Sequence, residues 1–325
     1  MRTVFLLALI AFASCLRIDA EEQRDFMEFQ SFLKKYGKSY DSLPEYLARF
    51  KIFRNNLRRV EDRANANSIF EEGVTKFSDM TPNEFKKKYL TLDVNVLNTL
   101  HFEDAEPILH FGADDNFDWL DTMNPVKNQG SCGSCWAFAT VANLEGLYYI
   151  KYGSHKRFSE QMLVDCDTTD SGCNGGLMEY SFQWIKNNGG LMLEDDYPYK
   201  GTKGTCRSSS SKYAVKVTGY TKLNSDDETD ILNYLVKTGP LAIAVNADPL
   251  QYYSSGIASY SKSNCDPSGI NHAVTLVGYG VQNGTKYWLV RNSWGADWGE
   301  DGYFRMLRGS GTCGINTYIT SAAIA

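Results

Sequence analysis

Seven cysteines follow an apolar N-terminal stretch, and an odd number of cysteines leaves at least one thiol without an intramolecular partner. The stretch itself sets the chemical setting. Arg2 precedes an apolar run from Val4 to Ala13, small residues follow near Ser14 and Ala20, and Glu21 and Glu22 end the run abruptly. This is the pattern of a secretory signal over residues 1–20, too short to span a bilayer. Cys15 leaves with the signal. Cys132, Cys135, Cys166, Cys173, Cys206, Cys265 and Cys313 then enter an oxidising route in which disulfides persist. A thiol left free there is expected to be used chemically.

At 325 residues, 43% of them hydrophobic, the chain exceeds one ordinary domain and can bury a substantial core. A formal charge of -6 and no dense basic run point away from a nucleic-acid partner. No second apolar stretch follows the signal, so the expected product is soluble, with no membrane partner.

Residues 21–113 are rich in charge, lack cysteine and are patterned for helices. Ser42 with Glu45 makes a capping box ahead of Leu47, Phe50, Phe53, Leu57 and Val60 at helical spacing. A second helix start stands at Thr81, with Pro82 at the first helical position and Glu84 three residues after the cap. From Thr91 to Asp115 the pattern fades into an extended linker. Residues 114–325 divide again. Ser134 to Tyr152 carries Trp136, Phe138, Val141, Leu144 and Leu147 on a helical stripe, which puts Cys135 in a first helical turn. Beyond about Lys212 come short β-like runs, Leu241–Val245, Ala273–Tyr279 and Tyr287–Arg291, with Asn283-Gly284 as a hairpin turn. The expected fold class is α+β: a helical unit, then a helical half (114–211) and a β half (212–325).

A thiol attacks a carbonyl as thiolate, and a helix N-terminus and a nearby imidazolium both stabilise that anion. Cys135 has the first by position. Of four histidines, His101 and His110 lie in the leader or linker, and His155 lies too far along the same helix to reach its start. His272 opens a strand in the other half, where two lobes can bring it across a cleft. Cys132-Gly-Ser-Cys135 is also a C-x-x-C, the spacing of redox dithiols, but pairing those two strands five cysteines, whereas a free Cys135 lets the other six close three bridges. No paired C-x-x-C or histidine cluster completes a zinc site, and neither metal nor other cofactor is expected.

The run Gln129-Gly-Ser-Cys-Gly-Ser-Cys135-Trp136-Ala-Phe138 resembles the active-site segment of papain-like cysteine peptidases. Cys173-Asn-Gly-Gly176, Asn271-His272-Ala273 and Asn292-Ser-Trp294-Gly-Ala-Asp-Trp298-Gly299 agree in order, so the resemblance covers essentially the whole chain after Asp115. His272 falls inside the window of about 130 to 150 residues after the cysteine that the family's histidine occupies, and Asn292 slightly beyond it. The resemblance implies a two-lobe fold, with a helical left lobe and an antiparallel β-barrel-like right lobe. It implies that Cys135 attacks the scissile carbonyl, His272 protonates the leaving amine, Asn292 orients the imidazole and Gln129 donates to the oxyanion. Trp294 would cover the bond between Asn292 and His272. By the same resemblance the bridges join Cys132 to Cys173, Cys166 to Cys206 and Cys265 to Cys313. An extended substrate would lie along Gly175 and Gly176, with Asn271 and Trp298 also lining its path. Its second residue before the cut would enter an apolar pocket of Leu177, Met178, Ala244, Ile270, Ala273 and, at the far end, Tyr318. Leucine, valine or aromatic side chains are expected there, and arginine is expected to be poor. No long insertion or histidine pair between Gly176 and Tyr197 closes one end of the cleft, which points to an endopeptidase.

The leader resembles the inhibitory propeptide of the cathepsin L-like branch through Glu45, Arg49, Phe53, Asn56 and Val60. The pattern's last asparagine is Ala64 here, with Asn65 one place late, and Thr75 stands where many members have asparagine. The resemblance implies that the chain from Thr91 to Gly112 runs through the cleft backwards relative to substrate. Acid would loosen the leader through Asp79 and neighbouring carboxylates, and cleavage near Gly112 to Asp115 would free the enzyme. The expected partners are polypeptide substrates, the chain's own propeptide and cystatin-like inhibitors, with the enzyme a monomer. Asn283-Gly-Thr285 is a glycosylation sequon as well as a turn. A lysosome-like acidic compartment or secretion is the expected destination.

Overall fold

The computed structural model describes residues 20–64, 69–92, 103–104, 115–225 and 227–325. The signal up to residue 19, Asn65, His101, His110 and the cleavage region from Gly112 to Asp114 lie outside the described residues.

The leader begins with two crossing helices, α1 (Ala20–Tyr36) and α2 (Leu43–Ala64). The Ser42 hydroxyl accepts the Glu45 N–H at 3.3 Å, so the expected start of α2 holds. Phe29, Phe32, Phe53 and Leu57 form the small core between the helices. Asp25 on α1 is wholly buried against Arg54 and Arg58 of α2. Its partners hold the carboxyl below its usual range even though burial pushes it up. Next come β1 (Phe70–Glu72) and α3 (Pro82–Tyr89). Thr81 and Glu84 close the expected capping box, each accepting from the other's backbone N–H, at 3.2 and 2.8 Å. Asn56 ties α2 to the chain entering α3, donating to the carbonyls of Ser78 and Met80 at 2.9 and 2.8 Å. A two-residue strand, β2 (Glu103–Asp104), follows.

The rest of the chain starts with β3 (Phe117–Asp118) and the helices α4 (Cys135–Tyr152), α5 (Glu160–Cys166) and α6 (Met178–Asn188). Gly153 ends α4 in the left-handed region that a C-terminal cap requires. The expected stripe on α4 is an underestimate, because every residue from Cys135 to Leu147 is buried. A helix buried on all sides belongs in the middle of a domain, and α4 packs on α5, α6 and the strands of the second lobe, with Thr140, Asn143 and Glu145 buried in it as polar exceptions. A two-stranded antiparallel sheet of β4 (Leu191–Met192) and β5 (Tyr213–Val215) follows.

The second lobe holds β6 (Val217–Leu223), α7 (Glu228–Thr238), β7 (Leu241–Val245), β8 (Tyr253–Ala258), β9 (His272–Gln282), β10 (Thr285–Arg291), β11 (Tyr303–Leu307) and β12 (Ile319–Ile324). Its strands run in the order β8-β11-β10-β9-β7-β12-β6, all antiparallel except the β8–β11 pair. Asn283 and Gly284, with φ of 52° and 79°, make the tight β9–β10 turn that two left-handed residues permit, and Asn283 is exposed at its tip. The leader adds a strand to each end of this sheet: β1 pairs antiparallel with β8, and β2 parallel with β6. Sequence periodicity foresees neither, since strands of two or three residues carry no period to read.

Three disulfides match the implied pairing, with Cα separations of 4.6 Å for Cys132–Cys173, 4.7 Å for Cys166–Cys206 and 5.2 Å for Cys265–Cys313. Cys135 is free and buried. Among the described residues, no helix is long and apolar enough to cross a membrane.

Candidate active site

Cys135 is the first residue of α4, where unpaired backbone N–H groups favour an anion. The loop before it is held by buried charge. Lys127 lies 2.9 Å from Glu145 and 2.8 Å from Glu160, with Glu194 at 3.1 Å. Three carboxylates around one ammonium cannot all ionise cheaply in a dry site, and burial raises Glu160 to about 7. Two residues on, Gln129 is fully buried. Its amide donates to the Cys132 carbonyl at 3.1 Å and its oxygen accepts the Ser293 hydroxyl at 2.6 Å. Ser293 therefore fixes which way the Gln129 amide points, a partner that the sequence motifs do not single out.

His272 opens β9 opposite Val245 of β7 and has no solvent exposure. Its Nε2 lies 2.9 Å from Asn292 Oδ1, and that oxygen also accepts the Ser293 N–H at 2.8 Å. The Trp294 ring stacks on the imidazole with centroids 4.8 Å apart, and Trp298 stands edge-on behind Trp294 at 4.7 Å. Nδ1 of His272 is buried without a hydrogen-bond partner among the described residues. Cys135 at the start of α4 and His272 at the start of β9 thus sit on opposite lobes.

Residues of the leader cover both. The Thr91 hydroxyl donates to the Gly133 carbonyl at 3.0 Å, and the Leu92 N–H donates to the Asn271 carbonyl at 3.1 Å. Asn271 turns its side chain inward, accepting the Ala247 N–H at 3.0 Å and donating to Asp248 at 2.8 Å, so its backbone alone meets the covering chain. Gly175 has φ of 120°, and a Cβ there would collide with the Thr91 carbonyl. A Cβ on Gly133 would come within 2.5 Å of both the Thr91 hydroxyl and the Cys173 carbonyl. Gly176 lies close against the Asp170 carboxyl. Leu92 is buried in the same apolar cluster as Leu177, Met178, Ala244, Ala273 and Tyr318, with Ile270 packed against it. Phe77, Phe85 and Tyr89 present their rings to Trp294 at centroid distances of 5.1, 5.3 and 6.4 Å. Lys76 completes the grip, bonding the Trp294 carbonyl and Asp297, each at 2.7 Å.

The cover changes the electrostatics as well as the access. Burial pushes the Cys135 thiol up, against the pull of the Ala273, Trp136 and Thr91 backbone and the Thr91 hydroxyl. Burial likewise drops His272 to about 4, opposed by Asn292 and the Tyr89 backbone. In the covered state the favoured pair is a neutral thiol and a neutral imidazole.

Residues 113–323 match the family described as papain family cysteine protease, and residues 29–85 match the cathepsin propeptide inhibitor domain (I29). The chain is 39% identical to the viral cathepsin of Adoxophyes honmai nucleopolyhedrovirus, covering 99% of this chain and 97% of that protein. It is 42% identical to cathepsin F of Drosophila melanogaster over 91% of this chain and 50% of that one. Among solved structures, digestive procathepsin L2 proteinase from the larval midgut of Tenebrio molitor superposes with a TM-score of 0.85 at 35% identity, over 92% of this chain and 99% of that one. A recombinant stem bromelain precursor gives 0.82 at 36% identity, over 92% and 99%. A peptidase domain preceded by a propeptide inhibitor domain, with one free thiol at a helix start beneath the leader, defines the precursor of a cysteine protease. The chain belongs to the papain family of cysteine proteases and carries their inhibitory propeptide.

Proposed function

We propose that Cys135 is the nucleophile, His272 its proton partner, Asn292 the group that orients the imidazole, and Gln129 an oxyanion donor. The observation that carries this reading is the His272–Asn292 bond at 2.9 Å, beneath the stacked Trp294 ring. It occupies Nε2 and leaves Nδ1 as the one imidazole nitrogen free to exchange a proton with the thiol. With the propeptide gone, water re-enters, the burial that holds thiol and imidazole neutral is relieved, and the α4 N-terminus favours the thiolate. Thiolate attack on the carbonyl gives a tetrahedral oxyanion, stabilised by the Gln129 amide once it leaves the Cys132 carbonyl and by the Cys135 N–H. His272 then delivers its proton to the departing amine, and water hydrolyses the acyl-enzyme with the imidazole as base.

The substrate path runs along Gly175 and Gly176, and the buried apolar cluster takes the second residue before the cut, as Leu92 does in the precursor. The enzyme is an endopeptidase with unit boundaries near residues 20 and 113, acting as a monomer, open to cystatin-like inhibitors and working in a lysosome-like compartment or after secretion. Acid frees it for a physical reason. Asp25 and Glu84 in the leader are held below their usual range after the opposing effect of burial, Asp25 by arginines and Glu84 by Thr81 and Arg49. Carboxyls with lowered values stabilise the docked leader above the ordinary carboxylate range and lose that contribution as pH falls through their own values. The test is cleavage at pH 5 to 6, under mild reduction, of a peptide with leucine before arginine at the cut. Acid-treated wild type should cleave it and Cys135→Ala should not; equal cleavage by both would refute the assignment.

A further inference from the structure

The two oxyanion donors of the reading above sit on separate pieces of chain: the Gln129 amide in the loop before α4, and the Cys135 N–H at the start of α4. Between them, Cys132 is tied to Cys173 by a disulfide, and the Gly133 N–H donates to the Cys173 carbonyl at 2.9 Å. Gln129 needs its own anchors. Its N–H donates to the Ser293 carbonyl at 2.9 Å and its side-chain oxygen accepts the Ser293 hydroxyl, both from the second lobe. On the other side the chain runs into Gly130, with φ of 60° and open space where a Cβ would stand, and then the exposed Ser131. That stretch is free to move unless something holds the Gln129 carbonyl.

Tyr199, in the connection between β4 and β5, supplies the hold. Its hydroxyl donates to the Gln129 carbonyl at 2.8 Å. The same phenolic oxygen lies 2.8 Å from the Ser134 hydroxyl, and with its own proton given to Gln129 it accepts the proton of Ser134. Ser134 is fully buried and stands at the N-cap of α4, immediately before Cys135. A serine there ordinarily accepts a first-turn N–H, yet Ser134 makes no side-chain cap and turns its hydroxyl to Tyr199 instead. The Tyr199 ring stands edge-on to Phe138 of α4, with centroids 4.9 Å apart. Its own backbone is fixed close by, where the Ser159 hydroxyl donates to the Tyr197 carbonyl at 2.6 Å and the Lys200 N–H to Gln161 at 2.7 Å.

We propose that Tyr199 is a positioning residue for the protease reaction: by bonding the Gln129 carbonyl and the Ser134 hydroxyl through one phenolic oxygen, it fixes the spacing of the two oxyanion donors. The proposal rests on the cysteine-protease reading above and adds a residue outside the set of Cys135, His272, Asn292 and Gln129. A phenyl ring would pack on Phe138 equally well, so the hydroxyl carries the effect and the packing does not. Oxyanion donors act only when aimed where the charge develops, and a misplacement of about 1 Å can cost about 10²-fold in rate. Ser293 still holds Gln129 when Tyr199 lets go, so the loss is smaller than that.

The test is Tyr199→Phe in the acid-activated enzyme. Its kcat should fall about tenfold with KM near wild type. Alkylation of Cys135 by iodoacetamide, which forms no oxyanion, should keep its wild-type rate and so show the thiol and the fold intact. In a Gln129→Ala background one donor is gone and there is no spacing left to fix, so adding Tyr199→Phe should change kcat by less than about twofold. A kcat for Tyr199→Phe within about twofold of wild type overturns the proposal. So does an equal fall in the Gln129→Ala background, a change confined to KM, or slowed alkylation. Each of those results leaves the protease reading standing. A Gln129→Ala enzyme with wild-type kcat overturns the oxyanion assignment and the proposal together.

Discussion

Replacing Phe77 by alanine should open the precursor. Phe77 is 1% exposed and belongs to the leader, yet its ring lies in the core of the second lobe. It packs on Phe85 and Tyr89 at 4.9 and 4.7 Å and on Trp294, above the His272 ring, at 5.1 Å. Truncating a fully buried phenylalanine costs about 3 to 5 kcal/mol, and because Phe85 and Tyr89 also pack on Trp294, the loss weakens the whole aromatic contact between leader and protease. At about 1.4 kcal/mol per factor of ten, the fraction of molecules with an uncovered cleft rises by as much as roughly 10²- to several 10³-fold. The readout is the rate of Cys135 alkylation by iodoacetamide in precursor kept at neutral pH, compared between variant and wild type at the same pH. Because the thiol is buried beneath the leader, alkylation follows opening. A rate within about threefold of wild type would refute the docking argument. The same substitution should move the onset of activation upward by about 1 to 2 pH units, since two carboxyls, Asp25 and Glu84, contribute at most about 2.7 kcal/mol per unit.

Asn292→Ala should lower kcat about 10²-fold and leave KM near wild type, because it loosens the imidazole rather than the substrate; steady-state kinetics on one peptide decides this. Gln129→Ala should reduce kcat by about 10²- to 10³-fold with Cys135 still alkylatable, and a change in KM alone would remove it from the oxyanion site. The mature enzyme should be most stable in acid. Burial raises Glu160 to about 7 and Asp170 to about 9, with Asp167 adding to the last. Groups with raised values give full stability below the ordinary carboxylate range and lose it as pH climbs towards those values. Thermal melts of the Cys135→Ala mature unit should therefore fall between pH 5 and 8, and a rising Tm would contradict the account.

The parts of the fold legible in the sequence are those with local chemistry. The Thr81–Glu84 box, the Asn283-Gly284 turn and the helix starting at Cys135 are each dictated by residues within a few positions of one another. Parity of the cysteines isolates one free thiol, and family resemblance supplies the pairing of the rest. What stays hidden is tertiary. β1 and β2 exist because the sheet edge of the second lobe offers partners, and Phe70–Glu72 has no signal of its own. Thr91 and Leu92 look like the start of a featureless linker, and only the glycines facing Thr91 show how tightly the chain is held there. The stripe on α4 hides a helix that is buried all round, because Thr140, Asn143 and Glu145 look like a solvent face until their partners are known: the Trp136 carbonyl one turn back, the Pro240 carbonyl of the other lobe, and the Asn124 amide. Glu179 is a charged residue in an amphipathic helix, and nothing local marks it as buried.

The most direct test of the central claim is stoichiometric. Acid-activated protein is treated with iodoacetamide under mild reduction that spares the three disulfides, and residual peptidase activity is plotted against label measured by mass spectrometry. The account predicts one carbamidomethyl group, on Cys135, with activity falling in proportion and reaching zero at one label per molecule. Activity that survives full labelling of Cys135, or loss that tracks another cysteine, would contradict it.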